Sequence, residues 1–374
     1  MLLIDVTRLL GRRLRGRIPT GVDRVCIQYL RHFRSRSGLA IRVGSAFFCI
    51  SAPHSDRLIA GLIESRGRLA LCFSLVRSLL RWRRPPSGSW LLNITHSGLE
   101  HWRYPDWMMS HGFRPVYFIH DLIPISHPQY SREGEPARHQ VRIRNALCTA
   151  EGILTNSSET LLQLRQYAER CGLPLPPAAV ALLAPADLPA AAPCSPLPQP
   201  YFLVLGTIEG RKNHQLLLEI WRTLPLSGPR LVIVGQRGWR AENVIAALDS
   251  DPLLSGKVLE LSKCSDCQLA TWLAHARSLL FPSHVEGYGM PLAEALASGT
   301  PVIASNLPAF REIAGDIPDY LDSMDFDSWK AKILDYSRDD SPARISQLQR
   351  MRSCHIPTWE EHFHVVERFL AELT

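Results

Sequence analysis

The sequence predicts an α/β protein made of two Rossmann-like parallel-sheet domains. Three observations lead there. Short apolar runs alternate with helical patterns along most of the chain, as in βαβ units. The clearest unit is residues 279–305: apolar LLFP, a loop holding Gly287 and Gly289, a helix over 291–298 with Pro291 in its first turn and Gly299 past its end, then apolar PVIAS. Between two such series lies 185–200, where prolines at 189, 193, 196, 198 and 200 prevent any lasting regular element. The predicted division is 1–184 as a first domain, 185–200 as linker, 201–355 as a second domain and 356–374 as a terminal helix.

Charge supports the division. Residues 1–190 hold 25 Arg, no Lys and 13 acidic residues, whereas the remainder holds 17 basic and 22 acidic ones. A basic first half suits nucleic acid, anionic lipid or a phosphorylated acceptor. Hydrophobic content of 46% and charged content of 21% are those of a soluble globular protein. No apolar run approaches the roughly 18 residues that cross a bilayer. The opening MLLID is too short and too soon charged for a signal peptide, so the expected location is the cytosol. Nine cysteines are scattered, and the lone close pair, Cys264 and Cys267, reads as structural or incidental.

In chain order, residues 2–6 read as a strand and 10–23 as a long, basic, glycine-bearing loop. That loop opens a helix near Thr20-Gly21, and the helix (22–33) has Val22, Val25, Cys26, Tyr29 and Leu30 on one side. Such a loop either receives a ligand at the strand's carboxyl end or is a surface turn with solvated arginines. Residues 39–48 read as the second strand. Residues 56–84 read as helical, apolar and basic, with Arg66, Arg68, Arg77, Arg81, Arg83 and Arg84 clustered. Helices of this kind lie on anionic membrane surfaces, or are core helices with a basic end. Strands follow at 90–94 and 115–119, and His120-Asp121 comes directly after the second. A histidine at that edge is placed for chemistry, and Asp121 either holds the ring or caps the next turn. A helix over 138–150, a strand over 152–155, a helix over 157–170 capped by Asn156 and a strand over 180–183 complete this half.

The second half opens with a strand over 201–205, a turn GTIEGRKN and a helix over 214–224 capped by Asn213. Arg211 and Lys212 thus stand at a helix N-terminus after a glycine-bearing turn. Two cations plus a helix dipole suit a diphosphate. Strands follow at 230–234 and 258–261, then helices at 268–276, 326–338 and 341–353. In the 279–305 unit two carboxylates stand eight apart, Glu286 in the loop and Glu294 in the first helical turn; beside a phosphate pocket they suit sugar hydroxyls. At the end, Thr358-Trp-Glu-Glu361 reads as a capping box, and Trp359, Phe363, Val366, Leu370 and Leu373 form one apolar stripe.

Together these residues resemble glycosyltransferase family 4. The resemblance rests on Gly206 with Arg211-Lys212-Asn213, on Val234-Gly235 with Gly238-Trp239, on Phe281-Pro282-Ser283, on Glu286-Gly-Tyr-Gly-Met-Pro291 with Glu294-Ala295, and on Gly299, Pro301-Val302 and Ser305. It covers most of 201–320 and is looser over 1–190, at Asp5, Thr20-Gly21, His120-Asp121 and Ser157-Ser158. It implies a GT-B fold, two Rossmann-like domains facing across a cleft, with the C-terminal helix crossing back to the N-terminal domain. It also implies a retaining transfer of a hexose from a nucleotide sugar. On the family's pattern, Glu286 binds the donor sugar, with the backbone from Gly287, Tyr288 and Gly289 to Met290 and Pro291 beside it. Glu294 binds ribose, and Gly206, Arg211 and Lys212 hold the diphosphate. Gly21 and His120 reach the donor from the first domain. Gly210 stands where relatives often have Pro, which implies a looser turn.

The resemblance is strongest to bacterial enzymes that use GDP-mannose and build exopolysaccharide or O-antigen on lipid-diphosphate carriers. It implies no cofactor and no metal, although Asp249-Ser-Asp251 and Asp325-Phe-Asp327 spell Asp-x-Asp. The expected partners are a nucleotide sugar, a lipid-diphosphate-linked saccharide acceptor and the inner face of the membrane, held peripherally through Arg77, Arg81, Arg83 and Arg84. Nucleic acid is not expected, because the arginines are not interleaved with aromatics in a recognisable motif. Alternatives are a UDP-sugar transferase of the same family, an epimerase or phosphorylase of the same fold, and a non-enzymatic membrane- or nucleic-acid-binding module.

Overall fold

The computed structural model of the chain describes residues 1–17, 19–44, 46–64, 67–80 and 85–374. Among these, the chain forms two compact units. One comprises Met1–Ile125, Gly134–Leu183 and Trp359–Thr374; the other comprises Ser126–Glu133 and Ala184–Thr358.

The first unit is built on strands β1 (Leu2–Asp5), β2 (Ser37–Val43), β3 (Ala46–Ile50), β4 (Trp90–Asn93), β5 (Arg114–Ile119), β6 (Gly152–Thr155) and β7 (Ala178–Val180). Their order is β3-β2-β1-β4-β5-β6-β7, and all neighbours are parallel except the β2–β3 hairpin. The second unit carries β8 (Tyr201–Leu205), β9 (Arg230–Val234), β10 (Val258–Leu261), β11 (Leu279–Phe281), β12 (Val302–Ser305) and β13 (Asp319–Leu321), in the order β10-β9-β8-β11-β12-β13 and parallel throughout. Runs such as YFLVL and RLVIV are apolar on both faces because helices cover both sides of a parallel sheet. In each sheet the first strand lies inside and the strand order reverses beside it, at β1/β4 and at β8/β11. Loops at the carboxyl ends of such a pair diverge and leave room for a ligand.

Several elements differ from the sequence expectation. Residues 39–48 are a hairpin rather than one strand: β2 ends at Val43 and Gly44 turns the chain with φ of 60°. The single helix expected over 56–84 is two, Ala52–Ile63 and Arg68–Leu79, with Gly67 as the cap of the second; Arg66, Arg81, Arg83 and Arg84 lie outside the described residues. Part of the long basic loop is helix Thr7–Leu14. Its Arg8 and Arg12 are not simply solvated, since they reach the buried Asp23 at 3.2 and 2.8 Å. Ser126–Glu133, read with the first domain, clusters with the second unit.

Helix Trp359–Glu372 belongs to the first unit. His362 is fixed between the Leu182 carbonyl at 2.9 Å and the Tyr29 hydroxyl at 3.0 Å, and Phe363 stacks on His32 at 3.9 Å. The buried stripe is Phe363, Val366 and Phe369, whereas Leu370 is half-buried. Removing the Phe363 ring is expected to cost about 3 kcal/mol. Leu370→Ala should cost distinctly less. Urea unfolding of both variants checks this, and equal losses would show that the helix is seated differently.

Candidate functional site

The site of the second unit grows from the turns after β8 and β11, the neighbouring strands of its switch point. The turn after β8 starts at Gly206, with φ of 131°, and the turn after β9 passes so close that a Cβ on Gly235 would lie 1.8 Å from the Gly206 carbonyl oxygen. Only glycine lets these two turns cross. The chain then forms a tight 3-10 turn, Gly210–Lys212, before helix His214–Thr223. This turn is not loosened by glycine in place of proline. The Gly210 amide donates to the Trp239 carbonyl at 3.3 Å, and a Cβ there would stand 2.7 Å from the Arg240 carbonyl. Asn213 adopts the left-handed conformation with φ of 54°, but its side chain donates to the Ser323 carbonyl at 2.8 Å instead of capping the helix.

From the β11 side, Glu286 enters between the two cations. The Lys212 ammonium is 2.5 Å from one carboxylate oxygen of Glu286, and the Arg211 guanidinium meets the other. Arg211 also binds Glu209 at 2.7 Å and the Val285 carbonyl at 3.2 Å, while its own carbonyl accepts the His284 amide at 2.8 Å. Ser283 donates to Glu286 at 2.9 Å, and the Lys212 ammonium lies 4.5 Å from the centre of the Phe281 ring. Lys212 and Glu286 are both buried. Burial pushes the Glu286 carboxyl upward, but Arg211 and Lys212 outweigh it and hold it at about 2. Burial pulls the Lys212 ammonium down, and Glu286 opposes the pull. The next residue, His214, is buried with no hydrogen bond to either ring nitrogen among the described residues. Burial, aided by Lys212, keeps it at about 3 and so neutral.

Gly287, the buried Tyr288 and Gly289 lead into helix Met290–Ala297, with Pro291 at its second position. Because Gly289, with φ of 132°, lets the helix begin at Met290, Glu294 is its fifth residue and stands in the second turn, not the first. It is buried.

Sequence reasoning quoted Glu209 and Ser283 only as parts of motifs, without their support of this site, and missed the segment Ser126–Glu133. In that segment Tyr130 stacks on His284 with ring centres 5.6 Å apart, and its carbonyl accepts the Trp239 indole N–H at 2.9 Å. Arg132 lies over the Trp239 ring at 4.3 Å. The signal in the sequence was a Tyr and an Arg between the strand over 115–119 and the helix over 138–150. Three of the four Asp-x-Asp residues are engaged elsewhere: Asp249 with Arg237, Asp251 with Arg222, and Asp325 as the cap of helix Phe326–Ser337.

On the first unit, the carboxyl edge of the sheet is lined with imidazoles. His120 follows β5 and its Nε2 lies 2.7 Å from the Ile94 carbonyl, which can only accept. Nε2 therefore carries the proton and Nδ1 is an acceptor. Burial lowers His120 to about 4, so it is neutral at pH 7. The His120 amide donates to Nε2 of His96 at 3.2 Å, and His139 reaches the Asp121 carbonyl at 3.1 Å. The Asp121 side chain caps the next turn at the Ile123 amide. Asn156 does not cap the following helix, a role taken by Ser157; it donates to the His120 carbonyl at 2.9 Å. Gly21 opens helix Gly21–His32, where Thr20 and Asp23 form a capping box, and a Cβ on it would meet nothing of the chain within 4 Å. Of the basic residues assigned to a membrane, Arg77 is exposed on helix Arg68–Leu79.

Residues 192–347 match the family described as Glycosyl transferases group 1. Over 365 residues the chain is 27% identical to O-antigen chain mannosyltransferase B of Escherichia coli, covering 91% of this chain and 93% of that protein. It is 30% identical over 234 residues to serotype-specific mannosyltransferase WbdA of Escherichia coli, covering 56% of this chain but 28% of that longer protein. Its fold is similar to that of Anabaena Alr3699/HepE in complex with UDP and glucose, with a TM-score of 0.69 over 98% of both chains at 16% identity.

The buried cluster makes a stability prediction. The Glu286 carboxyl is held below its ordinary 4.5 in the folded chain, so its contribution is full above that value and is lost as pH falls toward about 2. Glu286→Gln leaves two cations without their shared carboxylate, and it is expected to cost about 3 kcal/mol at pH 7. The variant should also lose the acid-side slope of stability that Glu286 supplies. Thermal unfolding from neutral to acid pH checks both; unchanged curves would contradict the ion cluster.

Proposed function

We propose that this chain, which matches the group 1 glycosyltransferases over residues 192–347 and shares the GT-B fold, transfers mannose from GDP-mannose, with retention of anomeric configuration, to a lipid-linked or saccharide acceptor in bacterial surface-polysaccharide synthesis. The observation that carries the reading is the Arg211–Glu286–Lys212 cluster, with Lys212 and Glu286 buried, at the switch point of the second sheet. The names of the mannosyltransferase relatives support the choice of sugar.

In this reading the bond between the anomeric carbon and the diphosphate oxygen breaks while the acceptor hydroxyl oxygen bonds to that carbon on the same face. The acceptor's proton passes to the leaving phosphate oxygen. Negative charge grows on the diphosphate, and Arg211, Lys212 and the start of helix His214–Thr223 stabilise it. Charge fixed before the reaction takes the part of a divalent metal, so no metal is required. Glu286 binds hydroxyls of the sugar and faces the positive charge that develops there. Glu294 binds the ribose, and the backbone of Gly287–Met290 follows the sugar's edge. His120, neutral with Nδ1 as acceptor, takes a hydrogen bond from a substrate hydroxyl.

No helix among the described residues is long and apolar enough to cross a membrane. We propose a cytoplasmic enzyme attached peripherally to the inner membrane face through the basic stretch that includes Arg77. The HepE structure holds UDP, and that gives a UDP-sugar donor as the second reading.

A screen of nucleotide sugars by thermal shift is expected to single out GDP-mannose; a shift with UDP-sugars alone would favour the second reading. Glu286→Ala and Lys212→Met should each lower transfer by about a hundredfold or more. EDTA should leave the rate unchanged, and strong inhibition would overturn the metal-free account. Because His120 is held neutral down to about 4, kcat/KM should show no break from it between about pH 5 and 8.

A further inference from the structure

Helix Arg68–Leu79 of the first unit has two apolar faces, and only one is used by the fold. On the inner side Leu71 and Ser78 are buried: Leu71 packs toward Gly61 of helix Ala52–Ile63, and the Ser78 hydroxyl donates to the His54 carbonyl at 3.1 Å. On the outer side stand Leu69, Phe73 and Val76 with Leu80 just beyond the helix, at 88%, 69%, 56% and 83% exposure. Their spacing is i, i+4, i+7 and i+11. At 3.6 residues per turn these four fall in one narrow stripe, on the side opposite Leu71 and Ser78. Four bulky side chains in a row on the surface form an unpartnered apolar ridge, unlike the singly scattered apolar residues of an ordinary surface.

Its charge decides the occupant. Arg68 and Arg77 are exposed beside the ridge, and the helix has no Asp or Glu. A second copy seated here would bring arginine against arginine with no carboxylate of the helix to offset it. A bilayer with anionic headgroups meets both requirements at once: its phosphates receive the guanidinium groups, and its acyl boundary receives the four side chains.

We infer that this helix is a membrane-insertion element. Leu69, Phe73, Val76 and Leu80 enter the acyl boundary of an anionic leaflet, while Arg68 and Arg77 lie at the headgroups. This deepens the peripheral attachment proposed above and rests on that reading. It differs in making apolar insertion, rather than surface charge alone, the anchor.

The test is flotation of the full chain with vesicles of phosphatidylethanolamine and phosphatidylglycerol, and with vesicles of phosphatidylcholine alone. The protein should float with the anionic vesicles. Leu69→Ser/Phe73→Ser/Leu80→Ser should cut the bound fraction by about tenfold or more, at low and high salt alike. Arg77→Gln should weaken binding chiefly at low salt. The ridge is solvent-facing, so the triple variant should melt like the wild type. A triple variant that floats as well as the wild type overturns the inference. So does a wild type that floats with neither vesicle, or one that is a dimer through this ridge and becomes monomeric in the variant. Thermal shift by nucleotide sugars, measured on the same preparations, separates the two readings: flotation without any such shift leaves the insertion element standing and counts against the donor site alone.

Discussion

Two cations and one carboxylate meet with Lys212 and Glu286 buried and Arg211 only partly exposed, and the rest of the second unit is arranged to allow it. Taking ions out of water costs several kcal/mol each, and well-packed apolar residues would serve stability as well or better. The cluster is held because every member has further support. Ser283 and the Val285 carbonyl brace it from one turn, Glu209 from the other, and the Phe281 ring lies under the ammonium. Those turns are far apart in sequence. They meet because β8 and β11 are neighbours, and β8 can approach β9 so closely only through Gly206 and Gly235. Sheet order, glycine placement and ion pairing are thus one device.

The electrostatics of the two units differ in kind. The second unit presents fixed charge, with the Glu286 carboxyl held at about 2 by its cations. The first unit presents neutral imidazoles. His120 and His96 are kept uncharged by burial, and their protons are assigned by the carbonyl and amide they face. Charged donors suit a departing diphosphate, and neutral acceptors suit hydroxyl groups. The transfer proposed above handles both.

Much of this was legible in the sequence. Periodicity gave the βαβ units of 201–305 because parallel strands buried on both faces are simple apolar runs. Arg211, Lys212 and Glu286 could be singled out because charge beside glycine in strand-following turns has few purely structural explanations. What escaped was set by tertiary contact. A hairpin over 37–50 and one long strand have the same composition; Gly44 alone separates them. The break at Gly67 falls in the polar run 64–68, which also reads as the solvent face of one continuous helix, and the outward stripe on the second helix breaks the rule that apolar faces point inward. Asn213 and Asn156 carry the right side chains for caps, but Ser323 and His120 offer their carbonyls instead. His96 and Tyr130 depend on segments remote in sequence, which no local pattern encodes.

The central claim is that the Arg211–Glu286–Lys212 cluster is a diphosphate cradle assembled before substrate arrives. Calorimetric titration with nucleoside di- and monophosphates of guanine and of uracil tests it most directly. At least one diphosphate should bind about tenfold or more tighter than its monophosphate, and Arg211→Met should close that gap while leaving the monophosphate nearly unaffected. Equal binding of both phosphate forms, or a gap that survives Arg211→Met, would contradict it.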